Sequence, residues 1–381
     1  MGTRRGFLSV GAGAAAAVGT GWTAGSASAA GSVGSPSGRQ NDAPHAPHAP
    51  HAPHAPHAPH APHAPHAPSY DVPLGIAMEG YPSAFPVRFL RLVNQGETVD
   101  MAYLDLAPAG AASGRTVLLL HGKNFDGGSW TPTARALAAA GHRVVVPDQI
   151  GFGRSSKPAL DYRFALLAQN TVALLDHLGI AEVDVIGHSM GGMLGVRFAL
   201  DHPTRVRKLV LANPVGLEDY RELVPAHSTE RLFADELANT SLTGIRAFYA
   251  SYVVTWRRAY ERNVELRYRI TLSAEYPRWA QASARTYQMA YHQPVVQELP
   301  RLRLPVQFII GQEDRAAVGK SYATPENRAK LGNFPVLGRR AAAAVPGARL
   351  VELPGVGHLP HLEAGRRFTR EVLAFLAADG N

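Results

Sequence analysis

A serine, a histidine and an acidic residue, far apart in the chain, are the residue types needed for nucleophilic acyl transfer. Ser189 stands in VDVIGHSMGGMLG, Val183 to Gly195, between Gly187 and Gly191 and straight after an apolar run. A serine hydroxyl is a weak nucleophile until a base takes its proton. Two flanking glycines are what a sharp turn from strand into helix requires when the serine sits at its apex. Gly187 and Gly191 are therefore expected to form a nucleophile elbow. The helix beginning at Met190 would offer unpaired N–H groups and its positive dipole end to a developing oxyanion.

The base must come from elsewhere. Of 17 histidines, eight lie in a repeat described below. Among the others, His358 in GVGHLPHLE follows the apolar segment ARLVELP, at a strand end in a glycine-rich loop. His361, three residues on, is its nearest rival, and His188 adjoins the serine but is expected to point away from the hydroxyl. The base needs an acid to orient it. Asp314 follows VQFII and Gly311, again at a strand end. Glu313 beside it is a lesser candidate, as are Glu218 and Asp219 in NPVGLEDY after the preceding strand. Two backbone donors would complete an oxyanion hole. Met190 N–H is one; Lys123 N–H in HGKNFDGGSW is the other, with Asn124 as its alternative. Lys123 would act there through its backbone and not its charge.

These residues need a scaffold that brings strand ends to one edge. PVRFLRLV and TVDMAYLDLA flank Asn94-Gln95-Gly96 and predict an antiparallel hairpin. TVLLLHG, RVVVP, VDVIG, KLVLA, VQFIIG and ARLVELP read as apolar strands. Helices are expected at 132–140 with Thr131 as N-cap, within 161–178, from Met190, and over 364–377. Apolar strands alternating with helices predict a mostly parallel sheet covered on both faces. From about 217 to 301 no strand is evident. Helical spacing there carries many aromatics and arginines, and the segment is read as an inserted helical lid.

The N-terminal region has a different character. TRRGFL, Thr3 to Leu8, is a twin-arginine pattern, followed by an Ala/Gly-rich stretch and an Ala27-Ser28-Ala29 cleavage site. Residues 1–29 are expected to be a twin-arginine signal peptide read by that export machinery, with a periplasmic, cell-surface or extracellular destination. Residues 30–69 form a Gly/Ser stretch and then APH eight times over, Ala43 to His66. Proline at every third position favours polyproline II, which would align the histidines along one edge over roughly 75 Å. A stiff solvated spacer is the favoured reading. A weak metal tract from His45 to His66 is the sharper one. The folded body is then 70–216 with 302–381, interrupted by the lid at 217–301.

Composition narrows the classes. The chain has 381 residues, 46% hydrophobic and 18% charged, with no cysteine and a net charge of +8. A sizeable core is expected, with no thiolate chemistry and no disulfide framework. The basic residues are scattered arginines, which argues against a nucleic-acid groove. No apolar run in the body reaches the ~18 residues of a membrane span. A small-molecule substrate is the expected partner.

HGKNFDGGSW, PDQIGFGRSS, GHSMGG, GQED and GHLPHLE, in that order, resemble the α/β-hydrolase superfamily over roughly Tyr70 to Asn381. HGKNF, PDQIGFG and NPVGLEDY together resemble a branch of exported bacterial hydrolases. The resemblance implies an eight-stranded sheet with a lid after the sixth strand. It also implies the chain order nucleophile, acid, base, met here by Ser189, Asp314 and His358, and no cofactor. A serine nucleophile sets the chain apart from relatives of this fold that use aspartate, the haloalkane dehalogenases and epoxide hydrolases. Hydrolysis of a small or medium apolar carboxylic ester is the expected reaction. Carbon–carbon bond cleavage of a vinylogous diketone acid is the runner-up, with a lid arginine for the substrate carboxylate. GHLP lacks the tryptophan that often follows the histidine in those enzymes. Lactonase and perhydrolase chemistry use the same triad. The non-enzyme alternative is a ligand binder or histidine-rich metal carrier on a hydrolase fold.

Overall fold

A computed structural model describes residues 68–378. The expected signal peptide and almost all of the linker, including the APH repeat, lie outside the described residues. The hairpin is present as β1 (Arg88–Asn94) and β2 (Glu97–Leu106), paired antiparallel from Arg88↔Tyr103 to Asn94↔Glu97. Gln95 and Gly96 both take positive φ, 51° and 86°, the two-residue turn whose twist matches that of its strands.

Six further strands follow: β3 (Thr116–Leu120), β4 (Arg143–Pro147), β5 (Val183–His188), β6 (Val206–Ala212), β7 (Val306–Gly311) and β8 (Arg349–Leu353). The sheet has eight strands in the order β1-β2-β4-β3-β5-β6-β7-β8. β2 pairs antiparallel with β4, and all later pairings are parallel. The eight-stranded, mostly parallel sheet expected from the sequence is therefore borne out.

Strand side chains alternate between two cores, as the pleat requires. Leu118, Leu120, Val185, Leu209, Leu211, Phe308 and Ile310 bury one face under α2 (Phe164–His177), α3 (Met190–Asp201) and α9 (Phe334–Ala344). Val117, Leu119, Val144, Ile186, Val210 and Ile309 bury the other under α1 (Thr131–Ala139) and α11 (Gly365–Ala377). Thr131 is not the N-cap of α1. It is the first residue of the helix, and its Oγ1 donates to Gly128 O at 2.8 Å. The chain enters α1 through a 3-10 turn, Gly127–Trp130, that Asp126 caps by accepting from Gly128 N at 2.6 Å. The cap signal is thus displaced five residues upstream.

Between β6 and β7 lie α4 (Thr229–Ala238), α5 (Leu242–Ala250), α6 (Glu261–Thr271) and α7 (Tyr276–His292), with no strand. Here α4 packs on α7 and α5 on α6. The segment before the hairpin also belongs to this layer. Leu74, Ile76 and Met78 are buried against Leu266, Ile270 and Tyr276, and Leu74 N donates to Arg269 O at 3.0 Å. By sequence this stretch falls in the folded body, 70–216, and not in the lid. Two helices absent from that reading, α8 (Pro325–Lys330) and α9, connect β7 to β8, and the one-turn α10 (Pro360–Glu363) precedes α11. Among the described residues no helix is long and apolar enough to cross a membrane.

Candidate active site

The C-terminal ends of the neighbouring strands β3, β5, β6, β7 and β8 deliver Lys123, Ser189, Asn213, Asp314 and His358 to one sheet edge. Crevices beyond the carboxyl ends of parallel strands are where folds of this kind bind ligands.

Ser189 sits between β5 and α3 with φ 54° and ψ −121°, a strained conformation for a residue with a side chain, costing on the order of 1–3 kcal/mol. Close backbone approach holds it there. A Cβ at Gly187 would lie 2.3 Å from Gly191 O, and one at Gly191 would lie 2.2 Å from Leu120 O. No larger residue fits either place.

His358 Nε2 is 3.0 Å from Ser189 Oγ, and its Nδ1 is 2.7 Å from Asp314 Oδ2. A carboxylate only accepts, so the ring proton belongs on Nδ1 and Nε2 is left to receive the serine proton. All three side chains are buried. The structure thus brings together the serine, acid and base singled out from the sequence.

The rivals are elsewhere. Glu218 accepts from Gly332 N at 2.9 Å, Asp219 binds Arg221, and Glu313 is exposed. His361 packs on Trp130, ring centres 4.3 Å apart, and neither of its nitrogens has a partner among the described residues. Burial brings its pKa down to about 3, so the ring is neutral. His188 turns away from Ser189 Oγ. Its Nε2 lies 2.8 Å from His358 O, and burial, with His361 and His358 beside it, holds its pKa well below the ordinary range.

Two supporting residues escaped the sequence reading. Asn213, with φ 41° directly after β6, donates from Nδ2 to Asp314 Oδ2 at 2.5 Å and accepts from Gly311 N at 2.9 Å. It fixes the acid and the strand end that carries it. Ala316 N donates to the other carboxylate oxygen at 2.7 Å. Asn213 does have a sequence signal: it is polar and follows an apolar strand neighbouring that of Asp314. Tyr252, after α5, accepts from His358 N at 2.7 Å, and its ring centre is 4.8 Å from that of the base. Nothing in the spacing of the aromatics marks it.

Met190 N–H and Lys123 N–H make no hydrogen bond among the described residues, as oxyanion donors require. Asn124 is engaged with the lid: its Nδ2 donates to Tyr252 Oη at 3.0 Å, and its carbonyl accepts from Tyr249 Oη at 2.9 Å. Ser189, Met190, Lys123 and His358 open onto a cavity of about 580 Å³ roofed by residues of the helical insertion, Ile245, Phe248, Leu266 and Ile270 among them. Lys123 crosses it. Its Nζ donates to Ser283 Oγ at 3.0 Å, and burial brings its pKa down to about 8. The described residues include no cluster of three or more metal-ligating side chains.

A serine with an adjacent imidazole, an orienting carboxylate and two free N–H donors can attack a carbonyl and hold the resulting anion. Comparison with known proteins agrees in class. Residues 115–365 match the family model of the α/β hydrolase fold. The chain belongs to this family, and it spans about half the length of the first curated relatives it matches. It is similar to a probable hydrolytic enzyme from Pseudomonas aeruginosa PAO1, with 45% identity and a TM-score of 0.79 over 81% of this chain and all of that one. It is 27% identical over 272 residues, 70% of this chain and 89% of the relative, to a 2-hydroxy-6-oxononadienedioate/2-hydroxy-6-oxononatrienedioate hydrolase of Comamonas testosteroni. It is 40% identical over 141 residues to a protein of Variovorax paradoxus (strain S110) that bears the name putative carbamate hydrolase RutD. That match spans 36% of this chain and half the length of the relative.

Proposed function

We propose that the protein hydrolyses a carboxylic ester of a small or medium substrate by a two-step acyl-enzyme mechanism. Ser189 Oγ attacks the carbonyl carbon as His358 Nε2 takes its proton, with Asp314 holding the imidazolium that forms. The N–H groups of Lys123 and Met190 hold the oxyanion. His358 then protonates the leaving alcohol, and water, deprotonated by the same ring, cleaves the acyl-enzyme. The observation carrying this reading is the unbroken Ser189–His358–Asp314 hydrogen-bond chain at the foot of a lidded, mainly apolar cavity.

Turnover of p-nitrophenyl esters together with fluorophosphonate labelling tests it. Ser189→Ala should abolish labelling and lower kcat by at least ~10⁴-fold; ester turnover surviving that substitution would refute the assignment. Carbon–carbon hydrolysis of a vinylogous diketone acid is the second reading, favoured by the likeness to the Comamonas testosteroni hydrolase. Such a compound cleaved faster than every ester of a graded-chain series would decide for it. We further propose export by the twin-arginine route, on the strength of Arg4-Arg5-Gly6-Phe7-Leu8. Retention of an Arg4→Lys/Arg5→Lys variant in the cytoplasm is the expected result.

A further inference from the structure

The cavity carries more positive charge than its own carboxylates balance. Lys123, Arg267, Arg315 and Lys320 line it, against Asp126 and Glu236. Arg262 already holds both oxygens of Asp126 at 3.0 Å, and Arg267 pairs with Glu236. The remaining three cations have neutral partners. Arg315 donates to the carbonyls of Gln312 and Asp314, and Lys320 to those of Arg315 and Leu331. Lys123 donates to one hydroxyl, Ser283 Oγ, which in turn donates a hydrogen bond to Glu236 Oε2 at 2.7 Å.

An ammonium has three donors, and this one uses a single donor inside a cavity it lines. Removing a charge from water is costly: burial brings the Lys123 pKa down to about 8, and Glu236, one hydroxyl away, offsets this only in part, leaving the ammonium without a direct carboxylate contact. An incoming carboxylate would supply it through a charge-assisted hydrogen bond. The position is also informative. Lys123 offers its backbone N–H to the oxyanion, and a lysine stem reaches roughly 6 Å from that nitrogen. A carboxylate on Nζ would therefore lie about two to four methylenes from the scissile carbonyl.

We propose that the substrate carries a carboxylate bound by the Lys123 ammonium, and that its class is the half-ester of a short dicarboxylic acid. This rests on the ester reading above and narrows it.

The test compares p-nitrophenyl hydrogen adipate with p-nitrophenyl hexanoate, matched in chain length. The half-ester should be favoured at least ~10-fold in kcat/KM, mostly through KM. Lys123→Met should lower that ratio at least ~10-fold, and Lys123→Arg should keep most of it. A ratio cancels any loss the two substrates share from a disturbed oxyanion loop. A ratio at or below one in the natural protein, or one unmoved by Lys123→Met, overturns the proposal. Calorimetric titration of free adipate into Ser189→Ala gives a readout independent of turnover. Binding that weakens at least ~10-fold when Lys123→Met is added supports the subsite; no binding, or equal binding, overturns it. Loss of fluorophosphonate labelling in the natural protein would instead sink the ester reading, and adipate binding would still report on the subsite.

Discussion

His188 Nε2 donates to the carbonyl oxygen of His358 at 2.8 Å, so the residue before the nucleophile grips the backbone of the base. The two ring centres are 4.9 Å apart, and the ring of His361 lies tilted against His188 with its centre 4.7 Å away. Neutral imidazole, a donor on one edge and apolar on its faces, suits this place between β5 and the loop after β8. His188 is a positioning residue, since it touches the base and not the reacting atoms.

Replacing it should loosen that loop. His188→Phe keeps the aromatic volume but removes the donor, leaving a buried carbonyl unpaired. A fall in kcat of about 10- to 100-fold is expected, with KM changed little, because small displacements of a reacting group carry costs of that size. His188→Gln, which can still donate, should recover part of the loss. Steady-state kinetics on one ester with the three proteins would settle it; equal kcat values would show that the contact does not steer His358.

Asn213 supports the acid in the same indirect way. Asn213→Ala removes the donor to Asp314 and the acceptor for Gly311 N, and puts alanine at a φ that favours Gly and Asn. Stability should fall by about 1–3 kcal/mol, measurable by urea denaturation. kcat should fall more steeply than this loss of folded protein explains.

Gly191 tests the elbow itself. A methyl group there meets Leu120 O at 2.2 Å, backbone that cannot step aside without shifting β3. Gly191→Ala should lower Tm markedly or prevent folding. A variant with the Tm and activity of the natural protein would mean that the approach of α3 to β3 is looser than described.

Acid should destabilise the fold before the ordinary carboxylates titrate. His361 has a folded pKa near 3, below its ordinary 6.5 because of burial, and that of His188 is depressed for the same cause. Between those values the unfolded chain binds more protons than the native one, so stability falls as pH drops. The loss should begin near pH 6.5 and continue toward pH 3. His361→Phe, which keeps the stack on Trp130, should flatten the Tm–pH curve over that range; an unchanged curve would exclude His361 as its source.

Lys123 predicts a pH effect of opposite sense, on binding. Its pKa is about 8, depressed by burial and by Arg267 and sustained by Glu236. Below pH 8 the ammonium is charged and KM for an anionic half-ester should be low. Above it KM should rise, while KM for a neutral ester stays flat. Parallel profiles for the two esters would remove Lys123 from the explanation.

The parts of the site legible in the sequence were those whose neighbours leave no choice. Gly187 and Gly191 mark Ser189 because backbone passes within a methyl radius of each. Asp314 and His358 were recognisable because each follows an apolar strand directly, and parallel strands end at one edge. The two cores could be anticipated from the same apolar runs. Residues whose roles depend on packing between distant segments were not legible. Tyr252 reaches His358 only because α5 folds over the edge, and Ser283 meets Lys123 only because α7 crosses the cavity. The segment from Leu74 to Met78 falls by sequence in the body, 70–216, yet its apolar side chains find their partners on α6 and α7. The N-cap of α1 was misplaced for a similar reason. Asp126 caps a 3-10 turn that local composition does not distinguish from the helix it leads into.

The bond from His358 N to Tyr252 O joins the roof of the cavity to the proton acceptor beneath it. The placement of the ring therefore depends on the packing of the insertion above it as much as on the strand ends below.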